Sequence, residues 1–266
     1  MLRAKAIKEK VTEKKYDEDV PLLENKKING KYFKLAFRSK KLSRNIRPGQ
    51  FLHVRVNQGQ DPYLRRPFSY FRVSPGRVEI LYEVLGRGTS LLSEKKKGDV
   101  LRVMGPLGNA FTEKPGKKKR ILVAGGVGVP PLVFLAEKYP TEYLLIGTKS
   151  KAELMPKSEL KKVRAKILYS TEDGSYGTKG RVTLLLEKIL EGRHPGEFFI
   201  QTCGPKKMME AVIAIATKYG VEGEASWDES MACGVGACLG CMVKTRGGLK
   251  RACADGPVFK FEDLEL

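Results

Sequence analysis

Four of the five cysteines, Cys233, Cys238, Cys241 and Cys253, fall in one short stretch, with four, two and eleven residues between successive members. Thiols crowded this way in an intracellular chain read as ligands for a soft metal rather than as a disulfide framework. Zinc ribbons and fingers usually pair their ligands as two short Cys-x-x-Cys knuckles, whereas a four-residue gap followed by a two-residue gap is the loop spacing of plant-type 2Fe–2S ferredoxins. Gly234, Gly236 and Gly240 interleave the cysteines. A loop wrapped around a cluster needs permissive φ angles and N–H groups aimed at sulfur, and glycine supplies the first without steric cost. A zinc site is the alternative on spacing, and free structural thiols are the third. The two histidines, His53 and His194, lie far apart in sequence, leave nothing for paired-imidazole chemistry, and read as structural.

Three further segments have the composition of anion-binding turns. Gly125-Gly126-Val127-Gly128-Val129-Pro130 joins an apolar strand to a helix, where glycines let backbone approach a ligand and the helix N-terminus favours negative charge. Pro130 occupies the place where the dinucleotide fingerprint puts its last Gly or Ala, so the segment departs from that pattern and also reads as a tight turn with proline near the helix start. Arg65-Arg66-Pro67-Phe68-Ser69 and Gly86-Arg87-Gly88-Thr89 flank the strand containing Tyr82. Arginine clamps a diphosphate through paired N–H groups, and Gly88 and Thr89 could offer N–H groups at a helix start. Each segment taken alone is equally an ordinary turn.

The elements that position these residues fall into three stretches. Phe33, Leu35 and Phe37, then Leu52, Val54 and Val56, then Val78, Ile80, Tyr82 and Val84 alternate with period two and are separated by Pro-Gly turns, which predicts antiparallel strands of a β-barrel or sandwich. After Lys117–Arg120 the rhythm changes. Ile121–Ala124 reads as a strand covered on both faces, followed by helix 131–139, strands 143–147 and 166–170, helix 182–190, strand 197–202 and helix 208–219, a strand–helix alternation that implies a parallel sheet. From about residue 222 both periodicities vanish into a Gly- and Cys-rich tail too short to hold a core alone. The domains expected are 1–115, 116–221 and 222–266.

Composition excludes several classes. The chain of 266 residues is 41% hydrophobic, which is globular rather than disordered. Glycine and proline interrupt its longest apolar stretch, Ile121–Ala136, so no membrane partner is expected, and Met1–Lys8 lacks the apolar core of a secretory signal, which points to the cytoplasm. The net charge of +20 invites a nucleic-acid reading. The excess lies before residue 222, however, and the lysine runs at 95–97 and 117–119 fall in expected loops without the aromatic residues that stack bases, so they read as solvated surface.

The order of these signals identifies a resemblance. Arg-Pro-Phe-Ser at 66–69, Leu-Tyr-Glu at 81–83, Gly-Arg-Gly-Thr at 86–89, Gly-Pro-Leu-Gly at 105–108, the turn at 125–130, Thr-Glu-Asp-Gly-Ser at 171–175, Cys-Gly-Pro at 203–205 and the four-cysteine loop running into Asp-Gly-Pro-Val-Phe at 255–259 together resemble the ferredoxin-reductase superfamily. Within it the sequence is most similar, from about residue 30 onward, to the electron-transfer subunits of dihydroorotate dehydrogenase B. The resemblance implies an antiparallel β-barrel FAD domain, an α/β NAD domain and an iron–sulfur module. Arg66, Pro67, Phe68 and Ser69 would line the flavin, with Arg66 near the diphosphate and Ser69 near the isoalloxazine. Phe68 stands where many members carry tyrosine. Leu81, Tyr82 and Glu83 would continue that wall, and Gly88 and Thr89 would hold the diphosphate from the other side. Gly125, Gly126, Gly128 and Pro130, with Cys203, Gly204 and Pro205, would frame the nicotinamide nucleotide. Thr148–Lys151 after strand 143–147 shows no immediate acidic ribose ligand, so NAD is what the resemblance implies and NADP stays open as the alternative. Cys233, Cys238, Cys241 and Cys253 would hold a 2Fe–2S cluster.

The implied partner is a separate FMN-containing subunit that oxidises dihydroorotate in pyrimidine biosynthesis, with this chain passing the electrons to NAD in an obligate heterotetramer-type complex and containing no catalytic residue for dihydroorotate itself. Trp227, Met231 and Val235 beside the first cysteine are the expected docking surface. The nearest rival is the small subunit of a ferredoxin-linked NADP oxidoreductase or sulfide dehydrogenase, against which Cys233 argues because those relatives typically place aspartate there. A rival from another class is a zinc-stapled, basic nucleic-acid-binding protein.

Overall fold

The computed structural model describes residues 14–266, so the expectation for Met1–Lys8 lies outside the described residues. The first part of the chain forms β1 (Tyr16–Lys27), β2 (Tyr32–Arg38), β3 (Phe51–Arg55), β4 (Arg66–Ser69), β5 (Arg72–Ser74), β6 (Arg77–Glu83), α1 (Arg87–Glu94) and β7 (Val100–Leu107). These strands make one seven-stranded antiparallel sheet in the order β4-β3-β7-β1-β2-β6-β5, curved into a half-barrel. Its interior is filled by residues alternating along the strands, among them Leu35, Phe37, Leu52, Val54, Val78 and Ile80. β1 was not expected from the sequence. It lies near the middle of the sheet between β7 and β2, so the fold depends on a segment to which the motifs give no weight.

The second part forms β8 (Lys119–Gly125), α2 (Val129–Lys138), β9 (Tyr143–Thr148), β10 (Lys166–Thr171), β11 (Thr178–Lys179), α3 (Thr183–Leu190), β12 (Phe198–Cys203), α4 (Lys206–Lys218) and β13 (Gly223–Ser226). Then follow the hairpin β14 (Met242–Thr245) and β15 (Gly248–Arg251), and β16 (Val258–Lys260). The second sheet runs β11-β10-β9-β8-β12-β13-β16, parallel except for β16. β8 is covered on both faces as its apolar run predicts. Ile121 and Val123 join the core shared with α3 and α4, and Leu122 and Ala124 join the core under α2. Strand order reverses at β8, where the chain leaves toward β9 and later returns on the other side as β12, and the crevice above such a reversal is where α/β sheets bind ligands.

Residues beyond 222 contribute the sheet's β13 and β16, and Trp227, Cys241, Val243, Cys253 and Phe261 share one apolar core with Val212 and Ile213 of α4. The cysteine-rich tail is thus packed on the parallel sheet, consistent with its being too short to enclose a core of its own. A buried polar network ties the sheet to the linker from the barrel. Arg120 at the start of β8 donates to Gln201 Oε1 (2.7 Å) and to the carbonyls of Pro140 (2.7 Å) and Glu113 (2.6 Å), while Gln201 Nε2 (2.9 Å) and the Thr112 N–H (2.9 Å) donate to Glu224. No helix among the described residues is long and apolar enough to cross a membrane.

Candidate functional site

At the barrel end of the molecule, β4 is held by β3 and carries Arg66 out over the first turn of α1. A methyl group on Gly88 would sit 2.6 Å from Arg66 Nε and 2.9 Å from Cζ, so glycine there lets the guanidinium lie flat across the helix start. Arg66 Nη1 donates to the Leu64 carbonyl at 2.6 Å, which fixes one edge of the guanidinium. Arg66 and Gly88, distant in sequence, are brought together. Thr89 caps its own helix: its Oγ1 accepts from the N–H groups of Leu85 (2.9 Å) and Gly86 (3.2 Å). Phe68 meets Tyr82 edge to face with centroids 5.7 Å apart, and Tyr82 stacks on Phe33 at 5.5 Å.

The 81–83 segment is split by strand alternation. Tyr82 faces the barrel interior and donates its hydroxyl to Asn25, whereas Leu81 faces the core under α2. Both side chains are buried, so this part of the expected wall offers backbone and the half-buried Glu83, which lies 3.5 Å from Lys31. Tyr63, Leu64 and Leu85, exposed apolar residues beside Arg66 and Gly86, were not picked out from sequence. Their only sequence signal is an apolar side chain next to a phosphate-type turn.

The second group converges at the switch point between β8 and β12. A Cβ on Gly128 would meet the Cys203 carbonyl oxygen at 2.1 Å, and one on Gly125 would meet Met208 Sδ at 2.4 Å. Gly204, at φ +158°, closes against the Gly125 backbone. Gly125–Gly128 and Cys203–Pro205 therefore form one interlocked pair of turns, and α2 begins at Val129 with Pro130 in its first turn, as a proline lacking an N–H prefers. Beside them opens a cleft of about 310 Å³, lined by Gly126, Lys149, Glu172, Arg181, Pro205 and Met208 among others. Glu172, which follows β10 rather than β9, gives the cleft an acid that inspection of the β9 end alone misses. Tyr32 of the barrel donates its hydroxyl to the Gly126 carbonyl (2.8 Å), linking the two sheets at this turn. Burial, with the Asp228 carboxylate adding to it, pushes the Cys203 thiol up to about 12, so Cys203 is neutral at physiological pH.

A groove lined by Leu64–Pro67 on one side and Asp228–Met231 on the other leads from the barrel to the cysteine loop. There Cys241 Sγ lies 3.3 Å from Cys253 Sγ, and the Cys238 backbone N–H is aimed at Cys233 Sγ. Among the described residues no group of three His, Cys, Asp or Glu side chains converges closely enough to hold a single metal ion. Backbone N–H groups already point at sulfur: Gly236 to Cys253 (3.1 Å), and Cys238 (3.4 Å) and Val235 (3.5 Å) to Cys233. Although burial raises it, these donors bring the Cys233 thiol down to about 6. Gly234 at φ +71° and Gly236 at φ +82° make the turns, and Leu239 holds the left-handed conformation at φ +58° without being glycine. Arg251 braces the loop, donating through Nε (2.9 Å) and Nη2 (3.0 Å) to Asp255 and through Nη1 to the Gly236 carbonyl (3.2 Å). The expected docking residues are corrected in part. Trp227 is 3% exposed and packs in the core, Met231 is partly covered, and the exposed large apolar residues of the module are Val235, Leu239, Leu249 and Leu266.

Residues 228–265 match the family described as the iron–sulfur cluster binding domain of dihydroorotate dehydrogenase B. The chain is 40% identical over 238 residues (85% of this chain, 89% of the relative) to the electron-transfer subunit of NAD(+)-type dihydroorotate dehydrogenase B from Desulforamulus reducens. To the corresponding subunit from Clostridium acetobutylicum it is 36% identical over 261 residues (98% and 99%), so the similarity extends well before residue 30 and takes in β1. Among solved structures, that of an NADH-dependent reduced ferredoxin-NADP oxidoreductase superposes with a TM-score of 0.81 at 30% identity, covering 92% of this chain and 89% of that one.

Proposed function

The chain belongs to the family of dihydroorotate dehydrogenase B electron-transfer subunits, and from that premise we propose that its three sites form one redox path, from a 2Fe–2S cluster in the cysteine loop through FAD on the half-barrel to pyridine nucleotide at the β8–β12 switch point. It is the electron-transfer subunit of an NAD-dependent dihydroorotate dehydrogenase B, a flavin and iron–sulfur oxidoreductase that serves pyrimidine biosynthesis. Its family role implies a dihydroorotate dehydrogenase catalytic partner, which in our reading carries FMN. The observation that carries the proposal is the four-cysteine loop, with the Cys241 and Cys253 thiols in contact and backbone N–H groups aimed at the Cys233 and Cys253 sulfurs, beside the groove lined by Arg66.

When bound, FAD exchanges hydride with a nicotinamide and single electrons with an iron–sulfur centre, which is why a carrier between the two needs it. In our reading Arg66 and the N–H groups at the start of α1 hold the flavin diphosphate, Phe68 and Ser69 border the ring, and Leu81–Glu83 contribute backbone. The interlocked turns at 125–128 and 203–205 orient the nicotinamide nucleotide, with the neutral Cys203 thiol as a small uncharged wall where hydride crosses. In our reading Glu172, which lines the same cleft, is the acid available to a ribose hydroxyl, while Lys149 and Arg181 of that cleft leave a 2′-phosphorylated cofactor open. Cys233 with Cys238, and Cys241 with Cys253, each hold one iron. The domain assignment that fits these roles is a barrel to 115, a nucleotide unit over 116–221 and a cluster module from 222 that shares the nucleotide sheet.

The likeness to the ferredoxin-NADP oxidoreductase keeps one second reading in play, a different electron partner for the same three sites. Cys233 and the greater identity to the dihydroorotate dehydrogenase subunits favour the first. Iron and acid-labile sulfide analysis of Cys238→Ser tests the site. The variant is expected to lose both while keeping its flavin absorbance, and full iron retention would overturn the ligand set.

A further inference from the structure

β3 alternates, and its two faces meet different surroundings. Leu52 and Val54 enter the barrel core, while Phe51 points the other way, into the core that also holds Cys241 and Cys253. His53 shares that outward face. It is 0% exposed, and neither Nδ1 nor Nε2 has a hydrogen-bond partner among the described residues. Orphaned ring nitrogens in an interior are costly, and an unpaired buried polar group in a native fold calls for an explanation.

The surroundings supply one. A Cβ on Gly234, the residue after Cys233, would lie 2.7 Å from His53 Nδ1 and 2.9 Å from Cε1, so the loop turn is pressed against the Nδ1 edge of the ring and must be glycine there. The other neighbours are apolar. Phe51 meets the ring edge-on at 5.8 Å, and the cross-strand partners are Pro67 on β4 and Met104 on β7. Arg65, also on the β4 side, is the one charged group that acts on His53, and burial together with that charge pushes the imidazole down to about 4. The ring is neutral at physiological pH and has one N–H to give. His53 thus touches, through one side chain, the strand that carries Arg66–Ser69 and the loop that carries Cys233.

We propose that His53 is a positioning residue for the cluster, donating its N–H to a sulfur of the Cys233–Cys238 loop when the cluster is bound and thereby raising the cluster's reduction potential. The inference rests on the reading of the four cysteines as cluster ligands. A reduced cluster carries one more negative charge than an oxidised one, so a donor aimed at its sulfur stabilises the reduced form more, and hydrogen bonds to sulfur are among the levers that set such potentials.

Redox titration of the FAD- and cluster-loaded chain, with iron and sulfide content measured alongside, tests this. His53→Leu is expected to keep its iron and to shift the cluster's oxidised-to-reduced equilibrium about tenfold toward the oxidised form, about 59 mV for one electron. The FAD potential should stay where it is, and His53→Asn, whose amide N–H takes the place of Nδ1, should recover much of the shift. An unchanged cluster potential in His53→Leu, or equal displacement in Leu and Asn, would overturn the proposal. Should His53→Leu fail to fold, pulsed EPR of the reduced wild-type chain labelled with 15N-histidine decides instead. His194 is the only other histidine and is exposed on a turn far along the chain. A weak coupling from a non-ligand imidazole nitrogen is expected, and its absence would overturn the proposal. A wild-type chain without iron and sulfide would remove the cluster reading itself, and this inference with it.

Discussion

Arg66 spreads its guanidinium over Gly88, so in the proposed reading the two residues would serve as one anion-binding unit rather than as two separate turns. Deleting a charge-assisted contact to phosphate costs about 1.5–3 kcal/mol, so Arg66→Ala should bind FAD roughly ten- to a hundredfold more weakly in a flavin-release titration, and unchanged affinity would remove the role. Cys203 makes a different kind of prediction. Its thiol, pushed up to about 12 by burial and Asp228, should react with iodoacetamide slowly at neutral pH, and the rate should keep climbing through the pH range where an ordinary cysteine has already levelled off. A plateau near the usual thiol range would show that the thiol is not held neutral. The clustering of the four cysteines was legible because their spacing is local in sequence. His53 was not, because what singles it out is a loop one hundred and more residues away pressing on its ring. Trp227 was misread as docking surface for a related reason: next to exposed polar residues, its burial depends on the core supplied by α4.

Elements, rather than single residues, hold the paired turns at 125–128 and 203–205 in place. Gly128 lets β8 and β12 end against one another, and a methyl there would strike the Cys203 carbonyl backbone, which cannot move aside as a flexible side chain can. Gly128→Ala should cost about 1–3 kcal/mol of stability and raise KM for NADH, whereas Gly88→Ala, which meets only the mobile Arg66 side chain, should weaken FAD with little change in Tm. At the opposite ends of the strands, Glu224 accepts from the Thr112 N–H and from Gln201, which in turn holds Arg120. Glu224→Ala leaves those donors buried and unpaired and should lower stability by at least about 2 kcal/mol, several degrees in a thermal melt. The parallel-sheet elements were legible because strands covered on both faces are continuously apolar. β1 was not, because Tyr16–Lys27 is charged, contains Pro21, and carries a bulge between Leu22 and Glu24 that interrupts its alternation. Its place in the sheet comes from pairing with β2 and β7, which no local pattern records.

Across the whole molecule, the barrel, the nucleotide sheet and the cysteine module are joined by shared cores, and the module leaves Val235, Leu239 and Leu249 in solvent. Exposed apolar residues beside a redox loop suit a partner surface, so Leu239→Asp should weaken association with the catalytic subunit in size-exclusion or sedimentation experiments while FAD and iron content stay unchanged. The charge of the chain, by contrast, said nothing that decides its function. The most direct test of the account is NADH formation from dihydroorotate and NAD, measured for this chain alone, for the catalytic subunit alone, and for the two purified as a complex. NADH should appear at a substantial rate only with the complex. Dihydroorotate oxidation by this chain alone, or failure of the two subunits to associate and couple to NAD, would contradict it.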